Sequence, residues 1–366
     1  MPRSLMETGW TQGIPECGTT DGIDRYSRTV SEIGTGTYSS VDLFRLNTGE
    51  HNSESDPLFA IKSISYTSLR STQIPVYGPQ GLTDVCSGVF QLDREHKILE
   101  QLCSFKCPHI ISIHEILVEE NMVHIVYPYR GYPIMTFCET IQAYSATTVD
   151  RVDHFRALPT AGSDAIHLLR IDDATECMRQ LLSAVAIVHA ADVCHKDIKP
   201  ENVLIQAPFS QWWSRSVPES PTMFCDSPNP SQIHVTLCDF NTAEYMRDSG
   251  KIYDAQGTVI FSPPEVFNRA FTEDQTIDGS ARDIWSVGLV GFALLCGTLP
   301  ILGKTPLEIQ LELIGMIHDM PEGHLSLPCD WLSIPNAAPI KAVIESMLSV
   351  NPQARPSASE TLDSLT

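Results

Sequence analysis

The chain has 366 residues, 42% hydrophobic and 19% charged, and its 45 acidic and 24 basic side chains give a formal net charge of −21. That apolar content excludes the core-poor composition of disordered chains, and the length fits two domains or one large two-lobed unit. The acid excess argues against nucleic acid and against a membrane surface, which attract clustered Lys and Arg, and favours basic partners.

The 11 cysteines run from Cys17 to Cys329 with no C-x-x-C pair, a usage that fits a reducing intracellular compartment, cytoplasmic or nuclear. Cys103, Cys107 and His109 come nearest to a metal pattern. No second Cys/His pair completes it, and ordinary buried thiols are the simpler reading. The opening Met-Pro-Arg-Ser-Leu-Met-Glu has no apolar signal core, and Pro2 stands where myristoylation needs glycine.

In chain order, residues 1–27 read as a polar lead-in. Residues 29–46 read as strand, glycine turn and strand, and 58–64 as another short strand. Residues 87–102 have helical periodicity, with Leu92, Leu99 and Leu102 on one inward stripe and Glu95 on the same stripe. A buried carboxylate is costly unless a cation meets it, so Glu95 requires a basic partner. Residues 124–127 form a strand that Pro128 stops, and 173–190 an amphipathic helix with Asp172 or Asp173 as N-cap. Strands follow at 203–205 and 233–237. The apolar stretch 284–302 is too interrupted by Gly288, Gly291, Gly297 and Pro300 to span a bilayer, and reads as a helix buried on all sides. Residues 66–86, 140–170 and 207–232 read as long loops, the last with adjacent Trp212 and Trp213 that suggest a docking surface.

The segment between the amphipathic helix and the next strand is His195-Lys196-Asp197-Ile198-Lys199-Pro200-Glu201-Asn202. Downstream come Cys238-Asp239-Phe240-Asn241, Gly257-Thr258 through Pro263-Pro264-Glu265, Asp283-Ile284-Trp285-Ser286-Val287-Gly288, and Arg355-Pro356. Upstream stand Ile33-Gly34-Thr35-Gly36-Thr37-Tyr38-Ser39-Ser40-Val41 and Ala60-Ile61-Lys62. In this order the motifs resemble those of eukaryotic protein kinases of the Ser/Thr type.

The resemblance implies an α+β, bilobal fold: a β-rich lobe over 28–128 and a helical lobe over 129–366, with insertions at about 140–170 and 207–232. It implies ATP and Mg2+ as cofactors and protein substrates, with regulatory or scaffold subunits left open. Asp197 would accept the substrate hydroxyl's proton and Lys199 would neutralise the transferring phosphoryl group. Asn202 and Asp239 would hold the metal. Ile33, Gly34, Gly36, Val41, Ala60 and Leu204 would line the nucleotide, with Lys62 paired to Glu95. Tyr127 would guard the back of the adenine pocket while the Pro128 carbonyl and Arg130 amide bond the adenine edge. Phe240, Thr258, Glu265, Asp283 and Arg355 would support the activation segment, Arg355 pairing with Glu265.

Around the catalytic loop and activation segment the chain resembles the liver kinase and calcium/calmodulin-dependent kinase kinase group. Its Gly-rich loop and hinge resemble instead the cell-division-cycle kinase of replication origins. Three departures stand out. Ser39 replaces a glycine, and Lys196 replaces the usual Arg, offering a point charge where a fork would grip a loop phosphate. Asn241 replaces the glycine after Phe240, and is expected to keep a left-handed turn. Ser249 and Tyr253 are candidate phosphorylation positions, and Cys238 is a thiol beside the nucleotide, more simply read as inert. The rival from another class is a pseudokinase scaffold; a kinase of small molecules or lipids is a third reading. The acid excess suggests substrates with Lys or Arg near the target hydroxyl, read by Glu201.

Overall fold

The computed structural model describes residues 22–36, 39–47, 56–78, 81–119, 121–138, 143–146, 155–158, 166–169, 171–206, 233–268, 276–301, 303–319, 323, 325 and 337–365. The expected docking loop with Trp212 and Trp213 lies outside the described residues, as does most of the lead-in.

The first third is a five-stranded antiparallel sheet of β1 (Tyr26–Gly36), β2 (Ser39–Leu46), β3 (Leu58–Ser65), β6 (Glu115–Glu119) and β7 (Met122–Pro128), in the order β1-β2-β3-β7-β6. Strand period two divides β3 between its faces. Phe59 and Ile61 pack with Tyr26, Phe44, Leu117 and Val126 on one face. Ile64 packs on the other with Val123, Ile125 and Leu92 of the helix α2 (Gly88–Cys103). Lys62 shares the second face, and Glu95 is buried on α2.

Between β3 and α2 the expected loop 66–86 is structured. It forms α1 (Tyr66–Ser71) and a hairpin of β4 (Gln73–Gly78) and β5 (Gly81–Ser87). Ser65 caps α1 by accepting from the Ser68 amide at 3.4 Å. The hairpin was illegible in the sequence because β5 exposes Leu82, Thr83, Asp84 and Val85 in succession, which erases the alternation that marks a strand.

The second expected loop, 140–170, also carries strands. After β8 (Tyr132–Pro133), β9 (Met135–Cys138) pairs with β10 (Ala143–Ala146), and β11 (Phe155–Leu158) pairs with β12 (Ile166–Leu169). Four-residue strands leave too little pattern to read.

Helices dominate the remainder. α3 (Ile171–Ala190) begins before Asp172 and Asp173, so both lie in its first turn, where their charge suits the helix dipole, rather than at the cap. Then come β13 (Val193–Cys194), β14 (Val203–Gln206), β15 (His234–Leu237), β16 (Glu244–Tyr245), β17 (Lys251–Ile252), α4 (Pro264–Asn268), β18 (Ile277–Asp278), α5 (Gly279–Cys296), α6 (Pro306–Asp319), α7 (Ala338–Met347) and α8 (Ala358–Asp363). Every residue of α5 from Ala281 to Leu295 is buried, which accounts for the apolar run. Close packing requires its glycines: a Cβ on Gly288 would sit 2.9 Å from Leu348. No described helix is long and apolar enough to cross a membrane. The α3–α5 core continues through Ile110 and Ile111 to Ile98 and Leu102 of α2. Leu237 meanwhile donates to the His109 carbonyl at 2.8 Å and accepts from Ile111 at 2.9 Å.

Cys103, Cys107 and His109 form no metal centre, and no group of three metal-ligating side chains occurs among the described residues. His109 bonds the Val235 carbonyl at 2.9 Å, and its ring lies 5.0 Å from that of His234. Burial, His109 and Arg130 pull the His234 imidazole down from 6.5 to about 4, opposed by its bond to the Pro108 carbonyl. The fold therefore favours neutral His234: this stability is full above pH 6.5 and is lost as pH falls toward 4. Thermal melts should show His234→Gln losing less stability than the wild type across that interval.

Candidate active site

Three elements bring Lys62, Glu95 and Asp239 together. Lys62 Nζ lies 3.8 Å from Glu95 Oε1 and 3.5 Å from Asp239 Oδ1, with Glu95 4% exposed and Lys62 15%. Glu95 has thus met the cation that its buried stripe required. Burial works against the Lys62 charge, but Glu95 and Asp239 outweigh it and raise the ammonium's pKa. Burial pushes the Glu95 carboxyl up, and Lys62 and a hydrogen bond from Tyr127 pull it back. The Tyr127 contact was not foreseen: its hydroxyl reaches back to the ion pair, because Tyr127 stands opposite Ala60 in the β3–β7 register.

Across the cleft, the turn after β13 holds Asp197. Its Oδ1 accepts from the Thr258 amide at 2.9 Å and the Thr258 hydroxyl at 2.6 Å. Its Oδ2 lies 3.0 Å from Lys199 Nζ and accepts from Asn202 Nδ2 at 3.1 Å. Lys199 also donates to Thr258 Oγ1 at 2.8 Å, so four predicted residues form one network. Burial would raise the Asp197 carboxyl, but Lys199 and Thr258 overcome it and hold the group below the usual carboxylate range.

Fully buried Asp283, at the start of α5, shapes this turn. It accepts from the amides of His195 at 2.8 Å and Lys196 at 2.9 Å, and bonds His189 Nε2 at 3.1 Å. Lys196 takes a left-handed φ of 68° there, a strain that the two amide bonds offset.

The segment after β15 departs from expectation in one detail. The left-handed residue is Asp239, at φ 62°, and not Asn241. Asn241 uses its carbonyl instead, accepting from Gln91 Nε2 of α2 at 2.7 Å. Phe240 is fully buried against His195, ring centroids 4.6 Å apart, and His195 Nε2 bonds the Cys238 carbonyl at 3.0 Å. The reading of Cys238 as inert agrees with its surroundings: burial beside Asp239 pushes the thiol up.

Lys196 reveals partners that sequence reasoning missed. Its side chain is fully buried, with Nζ 2.9 Å from Glu244 Oε2 and 2.6 Å from Asp254 Oδ2. Both carboxylates lie far along the chain, and no spacing signal links them to a lysine. Arg282 was also missed. Entirely buried, it donates to the carbonyls of Asp254 at 3.0 Å and Lys196 at 3.2 Å, and to that of Gln256. Gly257, at φ 136°, would place a Cβ 2.4 Å from the Lys196 carbonyl, so glycine is required. Farther on, Arg355 forks onto Glu265 at 2.6 and 2.9 Å.

The residues expected around a nucleotide collect at the sheet's edge. Ile33 and Ala60 are half-buried against Leu43, Leu58 and Tyr129, and Gly34 pairs with Val41. Gly34 and Gly36 are extended, not left-handed; the turn residues Thr37 and Tyr38 lie outside the described residues. Pro128, Arg130 and Leu204 are half-buried, Leu204 between Thr236 and Pro133 in the β8–β14–β15 sheet.

The residues present fit a magnesium ion. Asn202 spends its Nδ2 on two bonds to Asp197, and its Oδ1 accepts none among the described residues. Asp239 adds a carboxylate that is 35% exposed. Two hard oxygen donors suit Mg2+, which takes the rest of its shell from phosphates and water.

Three curated relatives are similar to this chain in sequence. A probable myosin light chain kinase of Dictyostelium discoideum is 28% identical over 52% of this chain and 40% of its own length. Serine/threonine-protein kinase 33 of Bos taurus is 27% identical over 76% of this chain and 46% of its own. A CBL-interacting serine/threonine-protein kinase of Arabidopsis thaliana is 26% identical over 74% and 50%. The chain therefore spans half or less of the length of these relatives. Residues 27–365 match the protein kinase domain model, and the chain belongs to that family.

Proposed function

We propose that the chain transfers the γ-phosphoryl group of ATP to Ser or Thr hydroxyls of protein substrates. The observation that carries this reading is the Asp197 carboxylate, kept ionised by Lys199 and Thr258 and set beside Asn202. In this reading Asp197 orients the substrate hydroxyl and takes its proton as the new O–P bond forms and the bond to ADP breaks. Lys199 stabilises charge on the transferring group, and Lys62, steered by Glu95, holds the nucleotide's phosphates. Asp239 and Asn202 would hold Mg2+, which when bound would neutralise charge on the nucleotide's phosphates. Ile33, Val41, Ala60 and Leu204 enclose the base, with Tyr127 behind it and the backbone of Pro128 and Arg130 along its edge. The lobes are taken as 28–128 and 129–366, in an intracellular protein.

Transfer of radiolabel from ATP to a Ser/Thr peptide library, with Asp197→Ala as control, tests the proposal. Label transferred equally by both proteins, or by neither despite magnesium-dependent ATP binding, sinks it; the second result is that of a scaffold. The same library tests substrate choice. Glu201 is half-buried and keeps one buried carboxylate oxygen without a hydrogen bond among the described residues, which supports peptides with Lys or Arg near the target. An optimum with acidic flanks would exclude that preference.

The finer likeness is to the liver kinase and calcium/calmodulin-dependent kinase kinase group, supported by His195 to Pro200, Ala243-Glu244, and Gln256-Gly257-Thr258 through Pro263-Pro264-Glu265. Such a kinase would have an activation segment ordered without phosphate, since Asp254 and Glu244 already occupy the buried Lys196. Phosphatase treatment should leave the rate within about twofold, while Asp254→Ala should lower it about tenfold or more, because a buried cation loses half its compensation. A phosphatase-sensitive wild type would overturn this.

A further inference from the structure

A cavity of about 260 Å³, open to solvent on one side, lies outside the Lys62–Asp197 cleft and is bordered by the β4–β5 hairpin, the first turns of α2 and the activation segment around β16. Its walls are apolar and aromatic where Ile74, Val76, Tyr77 and Phe90 meet, and one side carries Arg94. The Nε and Nη2 of Arg94 are buried and have no hydrogen-bond partner among the described residues. A guanidinium with buried, unanswered donors is costly, and an anionic oxygen is the group that satisfies it.

The nearby carboxylates do not fill that role. Glu244 and Asp254 also border the cavity, but their oxygens at 2.9 and 2.6 Å are committed to Lys196 behind the wall. Arg94 and Arg247 balance Glu244 and Asp254 in the lining, and since Lys196 already answers both carboxylates, the donors of Arg94 are left for an incoming anion. The volume sits near the lower end of small-molecule sites, roughly 300 Å³, and accommodates one ring with an acidic group but no nucleotide.

We propose that this cavity is a binding site for a small organic anion with an apolar body, an aryl carboxylate or aryl phosphate, whose acidic group forks onto Arg94 while its ring lies against Phe90 and Val76. Gln91 in the same wall bonds the Asn241 carbonyl, so an occupant braces α2 against the activation segment. The site does not depend on phosphoryl transfer, and its test does not read activity.

Cys86 supplies the probe, being a free, half-buried thiol in the cavity wall. The full chain is alkylated with iodoacetamide, with or without phenyl phosphate, phenylacetate or inorganic phosphate, and labelling is followed peptide by peptide. Phenyl phosphate and phenylacetate should each slow Cys86 labelling saturably, by about tenfold at about ten times Kd, while exposed Cys103 is unaffected. Inorganic phosphate, lacking the ring, should protect far less. Arg94→Met should abolish the ratio of protected to unprotected rates, and Arg94→Lys should retain part of it. Val76→Trp, which fills the cavity and spares Arg94, should abolish it as well and decides the matter if Arg94→Met does not fold. Unchanged Cys86 labelling in the wild type, equal protection in Arg94→Met, or protection only by a phosphotyrosine peptide and not by the free acids would each overturn the proposal.

Discussion

Asp197→Asn is expected to lower kcat for peptide phosphorylation by about 10²- to 10⁴-fold, the span of a lost general base, while KM for ATP stays nearly constant. The amide keeps the carboxylate's shape, so its oxygen still accepts from the Thr258 amide and hydroxyl, now at 2.9 and 2.6 Å from Oδ1. What disappears is the charge facing Lys199 and the ability to take a proton. Nucleotide-induced thermal stabilisation should therefore survive, since Lys62, Glu95 and Asp239 are untouched. Loss of both ATP stabilisation and turnover would mean that Asp197 holds the site together instead of acting on the hydroxyl.

The same carboxylate fixes an acid limit. Its folded-state pKa is depressed below the ordinary 3.8, so its stabilising contribution is present above that value and disappears as pH falls through the folded value. The acidic limb of the rate profile should accordingly lie below the usual carboxylate range.

Arg355→Ala is the second large effect, this time on stability. The guanidinium is fully buried, forks onto Glu265, and also donates to the carbonyls of Ser349 at 2.8 Å and Ala281 at 3.0 Å. It lies 5.0 Å over the Trp285 ring. Removal strands the Glu265 carboxylate and several carbonyls, a loss of about 3–5 kcal/mol. Arg355→Lys should recover little, because an ammonium cannot replace the fork. Replacing both partners, as Glu265→Leu with Arg355→Leu, should cost less than Arg355→Ala alone, since no uncompensated charge remains. Denaturation of the four proteins measures this, and a double variant weaker than the single would refute the argument.

Strands β1, β2, β3 and β7, with α2, α3 and α5, were legible because each repeats an apolar pattern over a long enough run, whereas the five-residue edge strand β6 was not read; Glu95 announced its partner by sitting on such a run. The kinase motifs around Asp197, Asp239 and Glu265 were legible because their chemistry needs fixed residue types at short spacing. The β4–β5 hairpin and the short strands between Met135 and Leu169 were not, since exposed or four-residue strands carry no period. The left-handed turn was assigned to Asn241 on residue preference, yet it falls on Asp239.

From 366 residues and a charge of −21, the sequence alone determined the α+β class, the kinase resemblance and the residues that carry it. Local chemistry is written locally: a helix stripe, a strand's alternation or an eight-residue loop depends on neighbours in the chain. Tertiary structure alone decided which distant carboxylates neutralise buried Lys196, where Arg282 spends its donors, and that Arg94 borders a cavity with its Nε and Nη2 unbonded among the described residues. Those are encounters between segments tens of residues apart, and burial makes them matter because it removes the water that would otherwise solvate each charge.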